Sequence, residues 1–202
     1  MQKVMEQPLA IRIFHWLFFG TALIVIFTSF LKVFRIGSVF GWPETTVSFY
    51  HQTSGFAFFY LIVFRVYYSL ITGSWRQEIP TINEFKTAPA FLKYFSFLTE
   101  TKPPVFPKYN IGQKLVFLSW AVLVILQTIT GVILMFPIQT KPVVSFLFGS
   151  LQMVRLVHFL LFAYFFITVL IHIYLVFTED PAKLQAMFTG YLKKKGEAPE
   201  KS

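Results

Sequence analysis

The sequence predicts an all-α integral membrane protein, a four-helix bundle with both termini in the cytoplasm. Three observations carry this expectation. Hydrophobic residues make up 55% of the 202-residue chain and charged residues 13%, whereas a water-soluble domain carries about 25% charged residues. Mean hydropathy is +0.62. Four apolar runs each exceed the roughly 20 residues that a helix needs to cross a bilayer. A net charge of +9 could serve nucleic acid, but the basic residues sit between the apolar runs and form no stripe. That is the pattern of membrane flanks, so lipid is an expected partner and nucleic acid is not.

The spans follow in order, within a single membrane domain over residues 1–202. The first runs from about Ile11 to Phe34 and is opened by Pro8; it is too long for a signal-peptide core and should stay in the mature protein. The second covers about Glu44 to Thr72, with Pro43 before it and Gly73 after it. The third covers about Gly112 to Phe136 and is stopped by Pro137; the fourth covers about Ser150 to Thr178 and ends near Pro181. Helix breakers thus cluster at the ends, where they cost least. The surplus length of the second and fourth spans calls for tilt or projection beyond the lipid.

Lys and Arg set the expected orientation. The N-terminus, the segment from Gly73 to Lys114 and the C-terminal tail hold 13 of the 18, while Lys32, Arg35, Lys141 and Arg155 are the only four near the other connections. The positive-inside rule therefore puts both termini in the cytoplasm, which makes the cytoplasmic (inner) membrane the expected location. The long cytoplasmic loop, 73–111, has an amphipathic middle from Ile82 to Leu98, which reads as an interfacial helix interrupted at Pro89. Thr101 to Tyr109 is Pro-rich and should be extended. The polar tail, 193–202, is expected to be disordered and to touch anionic headgroups.

The chain has no cysteine, which removes disulfides, iron–sulfur clusters and covalently attached haem. It has four histidines, His15, His51, His158 and His172, and all four lie inside apolar spans. An ionisable side chain in hydrocarbon is expensive and marks function by default. His158 and His172 are 14 residues apart, hence about 21 Å along one helix and within about 40° of the same face. They cannot share a metal centre, so each needs a partner on another helix. In the expected orientation His51 lies level with His158 near the outer face, and His15 with His172 near the inner face. Two histidines are too few for a zinc or copper site. They suit haem, which brings four ring nitrogens and needs only two axial ligands. Two haem b groups are expected, His15/His172 inner and His51/His158 outer, with electron transfer as their task.

Other residues could support these sites. Arg12 and Arg155 each precede a histidine by three residues, in R-I-F-H and R-L-V-H. That spacing puts guanidinium and imidazole on one face, where Arg could meet a haem propionate or snorkel to the interface. Arg65 follows His51 by 14 residues, and a propionate is its expected partner because the spans offer almost no carboxylate. Gly55, one turn beyond His51, could let a macrocycle approach the backbone, and Gly20 and Gly131 could do the same; helix packing would explain them as well. The polar mouth of the third span, Tyr109, Asn110 and Gln113, could hydrogen-bond a quinone carbonyl, with a plain helix cap as the competing role of Asn110.

Together R-I-F-H-W, H-Q-T-S-G…F-R-V-Y-Y, Y-N-I-G-Q-K-L with I-T-G, and H-x13-H followed by I-Y-L resemble the bacterial di-haem cytochrome b subunits. These anchor nickel–iron hydrogenases, formate dehydrogenases and thiosulfate reductases. The resemblance covers nearly the whole chain and implies the same histidine pairing. It also implies an extracytoplasmic iron–sulfur electron-transfer subunit with its catalytic subunit, and a menaquinone or ubiquinone site near the inner haem, around Tyr109, Asn110, Gln113 and His172. The stretch T-E-D-P…M-F-T-G-Y is similar to the hydrogenase branch and Y-N-I-G-Q-K to the formate dehydrogenase branch, so the partner enzyme stays open. Two other readings compete: a free-standing di-haem cytochrome that oxidises a diffusible donor with quinone, and a small haem-free proton transporter in which the histidines relay protons.

Overall fold

A computed structural model describes residues 2–96, 98–101, 109–178 and 181–194. The order is β1 (Gln2–Met5), α1 (Leu9–Phe34), a 3-10 turn (Gly37–Phe40), α2 (Glu44–Thr72), α3 (Trp75–Glu78), α4 (Ile82–Phe85), α5 (Ala88–Phe95), α6 (Ile111–Met135), α7 (Lys141–Leu147), α8 (Leu151–Thr178), α9 (Pro181–Thr189) and β2 (Tyr191–Lys194). Four of the helices, α1, α2, α6 and α8, are long and apolar enough to cross a membrane. Their bounds fall within two residues of the spans read from the sequence. At most 22% of the most apolar stretch of any of them is buried against protein. Side chains such as Leu23, Phe64, Ile129 and Ile171 lie exposed along them, a surface that only lipid can solvate.

The chain falls into two compact units, Met1–Leu61 with Phe166–Ser202, and Ile62–Phe165. In the first, α1 starts directly after Pro8 and ends on Arg35, whose backbone is left-handed (φ 54°) and whose N–H caps Leu31. The following turn packs tightly on α2. A methyl group on Gly37 would lie 3.0 Å from Val47 and 3.1 Å from the Trp42 carbonyl, so a larger residue there would make these neighbours give way by a few tenths of an ångström. Phe18 stacks on Phe58 at 4.0 Å between ring centres, and Phe30 meets Phe166 edge-on at 5.1 Å. These contacts hold α1 against the first half of α2 and the second half of α8.

After the fourth span the chain forms α9, whose C-terminal carbonyls are capped from α1. Arg12 Nε donates to the Met187 carbonyl at 3.3 Å, Arg12 Nη2 donates to the Phe188 carbonyl, and Trp16 Nε1 donates to Met187 at 3.1 Å. A guanidinium here answers the negative end of the helix dipole. β2 then pairs antiparallel with β1, with Gln2 opposite Lys194 and Met5 opposite Tyr191. Lys193 and Lys194, expected in a disordered tail, are therefore strand residues; 195–202 lie outside the described residues. The pairing brings residues 2–5 and 191–194 together.

In the second unit the loop after α2 is more ordered than expected. The single helix interrupted at Pro89 is instead two helices, α4 and α5. Thr87 Oγ1 donates to the Glu84 carbonyl at 2.6 Å where α4 ends. Pro89 lies in the first turn of α5, where its missing N–H costs nothing. Thr81 and Glu84 form a capping box on α4, and Asn110 and Gln113 form another on α6. The two helix starts are joined by an ion pair, Lys114 Nζ to Glu84 Oε1 at 2.6 Å, with side chains only 6% and 10% exposed. Phe91 of α5 lies where a side chain on Gly112 would be, so this glycine admits the ring. Of the stretch expected to be extended, 102–108 lie outside the described residues. At the other end, Ile133, Val144 and Val154 form a small core joining α6, α7 and α8.

Burial alone would raise the Glu84 carboxyl, but hydrogen bonds from Lys114 and Thr81 and the Lys114 charge outweigh it and hold the group below its usual range. Its contribution to stability is thus complete above the ordinary carboxylate range and is lost as pH falls through the lowered value. Glu84→Ala leaves a buried ammonium alone and should cost about 3–5 kcal/mol, read as a lower thermal midpoint in detergent. Adding Lys114→Met should recover part of the loss, and Glu84→Gln should flatten the acid limb of the stability profile. Arg12→Ala should cost about 1.5 kcal/mol locally, seen as faster amide exchange over 181–194 with α6 unchanged.

Candidate functional site

The four histidines sit on α1, α2 and α8, each partly buried. His15 faces the edge of Trp16 at 5.1 Å, and Trp16 is itself fixed through its bond to Met187. His15 Nδ1 is buried with no hydrogen-bond partner among the described residues. His172 lies in the same compact unit, which is built from opposite ends of the chain. His51 Nδ1 lies 3.1 Å from Thr28 Oγ1 on α1, and Thr28 is 1% exposed. His158 Nδ1 lies 2.8 Å from Thr130 Oγ1 on α6, and Thr130 is 3% exposed. Both His51 and His158 are the eighth residue of their helices.

Among the described residues no three His, Cys, Asp or Glu side chains converge. A bare metal ion would lack ligands here, whereas a porphyrin iron asks the protein for only two. The residues present fit such a group. A buried imidazole nitrogen without a partner is costly and is tolerated where the ring serves another purpose. Gly55 is four residues after His51, on the same face, and a methyl group there would meet nothing within 4 Å. Gly131 adjoins His158, since its methyl would lie 3.5 Å from His158 Cε1. Gly20 is also open, but five residues after His15 it is turned about 140° from it and belongs to the exposed side.

The arginines differ from the sequence expectation. Arg65 Nη2 donates to Glu78 Oε1 at 2.5 Å, and Glu78 also accepts from Ser69 at 2.8 Å and Ser74 at 2.8 Å. The carboxylate expected to be missing comes from α3, six residues beyond the end of α2. A search confined to the spans could not find it. Burial works to raise the Glu78 carboxyl, but the hydrogen bonds from Arg65, Ser69 and Ser74 and the Arg65 charge hold it below its usual range. Arg12, for which a propionate and the interface were both open, donates to the carbonyls of α9. Arg155, with the same two roles open to it, lies exposed and donates to Gln152 Oε1 at 2.7 Å on its own helix.

At the mouth of α6, Tyr109 stands edge-on to Phe117 at 5.3 Å. Asn110 Oδ1 accepts from the Gln113 N–H at 2.8 Å and Gln113 Oε1 from the Asn110 N–H at 3.1 Å. The cap considered for Asn110 is therefore formed, and it takes both side-chain oxygens. Sequence reasoning missed Thr28, Thr130, Glu78 and the Glu84–Lys114 pair. Thr130, Lys114 and Glu84 each stood in a stretch singled out beforehand, but nothing in I-T-G tied Thr130 to a histidine 28 residues away, nor Lys114 to a carboxylate 30 residues before it.

A comparison with curated individual proteins gives no match. A family model described as prokaryotic cytochrome b561 matches residues 6–190, from the segment before α1 through α9. All four histidines and all four membrane-length helices lie within the match. The chain accordingly belongs to the prokaryotic cytochrome b561 family, membrane proteins that bind b-type haem.

Proposed function

We propose that the chain is a di-haem electron carrier of the cytoplasmic membrane. It would link an extracytoplasmic iron–sulfur subunit and its catalytic subunit, of the hydrogenase, formate dehydrogenase or thiosulfate reductase type, to the quinone pool. The observation that carries the reading is the placement of every histidine on a membrane-length helix. The presence of His15 and His172 in one compact unit and the 14-residue step from His158 to His172 on continuous α8 support two levels. In this reading His15 and His172 hold the inner haem. His51 and His158 hold the outer one, as the helical spacing of the sequence calls for. When bound, each haem supplies a one-electron ferric–ferrous couple.

The chain's own residues set what that couple can do. Imidazoles in both axial positions leave no place for oxygen or substrate, which favours electron transfer over bond-breaking chemistry. The two levels, about 21 Å apart along α8, divide the membrane into two shorter electron-transfer steps. The quinone takes two electrons and two protons to become quinol. We place it at the start of α6, beside Tyr109, where the side-chain amide N–H groups of Asn110 and Gln113 serve as donors, because the cap has taken the amide oxygens. A quinone carbonyl accepts hydrogen bonds, so donors are what it needs. The basic N-terminus and 73–114 segment, with chain ends joined by the β1–β2 pair, favour the cytoplasm for that side and for proton uptake.

Pyridine haemochrome analysis of the purified protein should give about two b-type haems per chain. His172→Ala and His158→Ala should each leave about one, with different midpoint potentials for the remaining group. Absence of reduced b-type bands, or retention of both haems in either variant, would defeat this assignment. Purification in mild detergent should carry iron–sulfur and catalytic subunits along; a chain that reduces quinone with none bound would instead stand alone.

A further inference from the structure

We propose that Thr28 and Thr130 are positioning residues that fix the tautomer and ring orientation of His51 and His158, so that each imidazole presents a bare Nε2 to iron. This rests on the reading of those histidines as haem ligands. The argument is a count of hydrogens. A threonine hydroxyl has one hydrogen to donate and lone pairs to accept with. Thr28 Oγ1 lies 2.7 Å from the Ile24 carbonyl and 3.1 Å from that of Val25, and both oxygens can only accept. Thr130 Oγ1 lies 2.8 Å from the Leu126 carbonyl and 3.1 Å from that of Gln127. In the proposed arrangement each hydroxyl gives its hydrogen to its own helix. What it turns toward the neighbouring imidazole, at 3.1 Å for His51 and 2.8 Å for His158, is a lone pair. Nδ1 must then carry the proton, which leaves Nε2 unprotonated, the form that binds a metal.

The arrangement occurs twice, independently, in two units of the fold. In each, a buried threonine on one membrane-length helix, α1 or α6, serves the eighth residue of the next, α2 or α8. Such repetition would be wasteful for mere packing, since valine has the same shape and costs no desolvation. His15 provides a contrast, because its buried Nδ1 has no partner among the described residues. An imidazole that donates from Nδ1 is a more basic ligand at Nε2 and stabilises ferric over ferrous iron. The two threonines therefore hold down the potential of the group that His51 and His158 share, and the site of His15 lacks that influence from its own ring.

The test uses the full-length protein, purified with whatever subunits accompany it. Thr28→Val, Thr130→Val and the matching serine variants are compared by haem content, by potentiometric titration of the reduced absorption bands and by electron paramagnetic resonance of the ferric form. Each valine variant should shift one of the two midpoint potentials upward, the same one in both, and change the ferric signal of that haem alone. Each serine variant should restore both readouts. Valine variants that keep both haems with unchanged potentials and signals would overturn the proposal. If a valine variant loses haem, a serine variant with full content and the wild-type potential supports it; loss in serine as well means that the threonine methyl matters through packing, and the proposal fails. The ligand reading fails separately, and visibly, if wild-type protein carries no b-type haem or if His158→Ala keeps both haems at their native potentials.

Discussion

The structure depends on the cost of a polar group in hydrocarbon. Within the bilayer no water compensates a donor or acceptor, so each must be satisfied inside the protein. The spans meet this demand mainly with helical backbone, and their hydroxyls follow the same rule. Thr21, Thr28, Ser29, Ser54, Thr128 and Thr130 all donate to a carbonyl one turn earlier on their own helix. After that donation such a hydroxyl can only accept, and in the arrangement proposed for Thr28 and Thr130 the neighbouring imidazoles are the donors that meet it.

Charged residues near the span ends show the same constraint at the interface. Arg65 and Lys114 reach back to carboxylates supplied by the short helices α3 and α4, and Arg12 reaches forward to the open carbonyls of α9. Each cation thereby pins a peripheral segment onto a spanning helix. The loop after α2 is consequently a folded collar, made of two capping boxes, a buried ion pair and Phe91 seated over Gly112. Arg12, Arg65 and Arg155 all have partners within the fold: a cation near lipid takes the nearest anion or carbonyl dipole that the fold offers.

Membership of the prokaryotic cytochrome b561 family agrees with a chain that has no cysteine and carries its four histidines on membrane-length helices. A soluble metalloprotein gathers three or four ligands around one ion. Spreading four histidines over three membrane helices makes sense for a cofactor that brings most of its own ligands. It leaves the protein to choose height, orientation and basicity, which are the variables that govern electron transfer.

Composition and periodicity by themselves determined the membrane-length helices to within two residues, because apolar length and flanking prolines are local properties. They also singled out the four histidines, since an ionisable residue inside an apolar run is conspicuous in one dimension. Tertiary structure alone decided what touches the functional side chains. Glu78 lies outside the spans yet claims Arg65, α9 lies far along the chain yet claims Arg12, and two threonines with no sequence relation to His51 or His158 meet them in space. The β1–β2 ribbon likewise joins the two ends of the chain across its whole length. Hydrogen-bond partners are set by which helix faces come together, and that depends on packing between segments far apart in sequence, which no window along the chain contains.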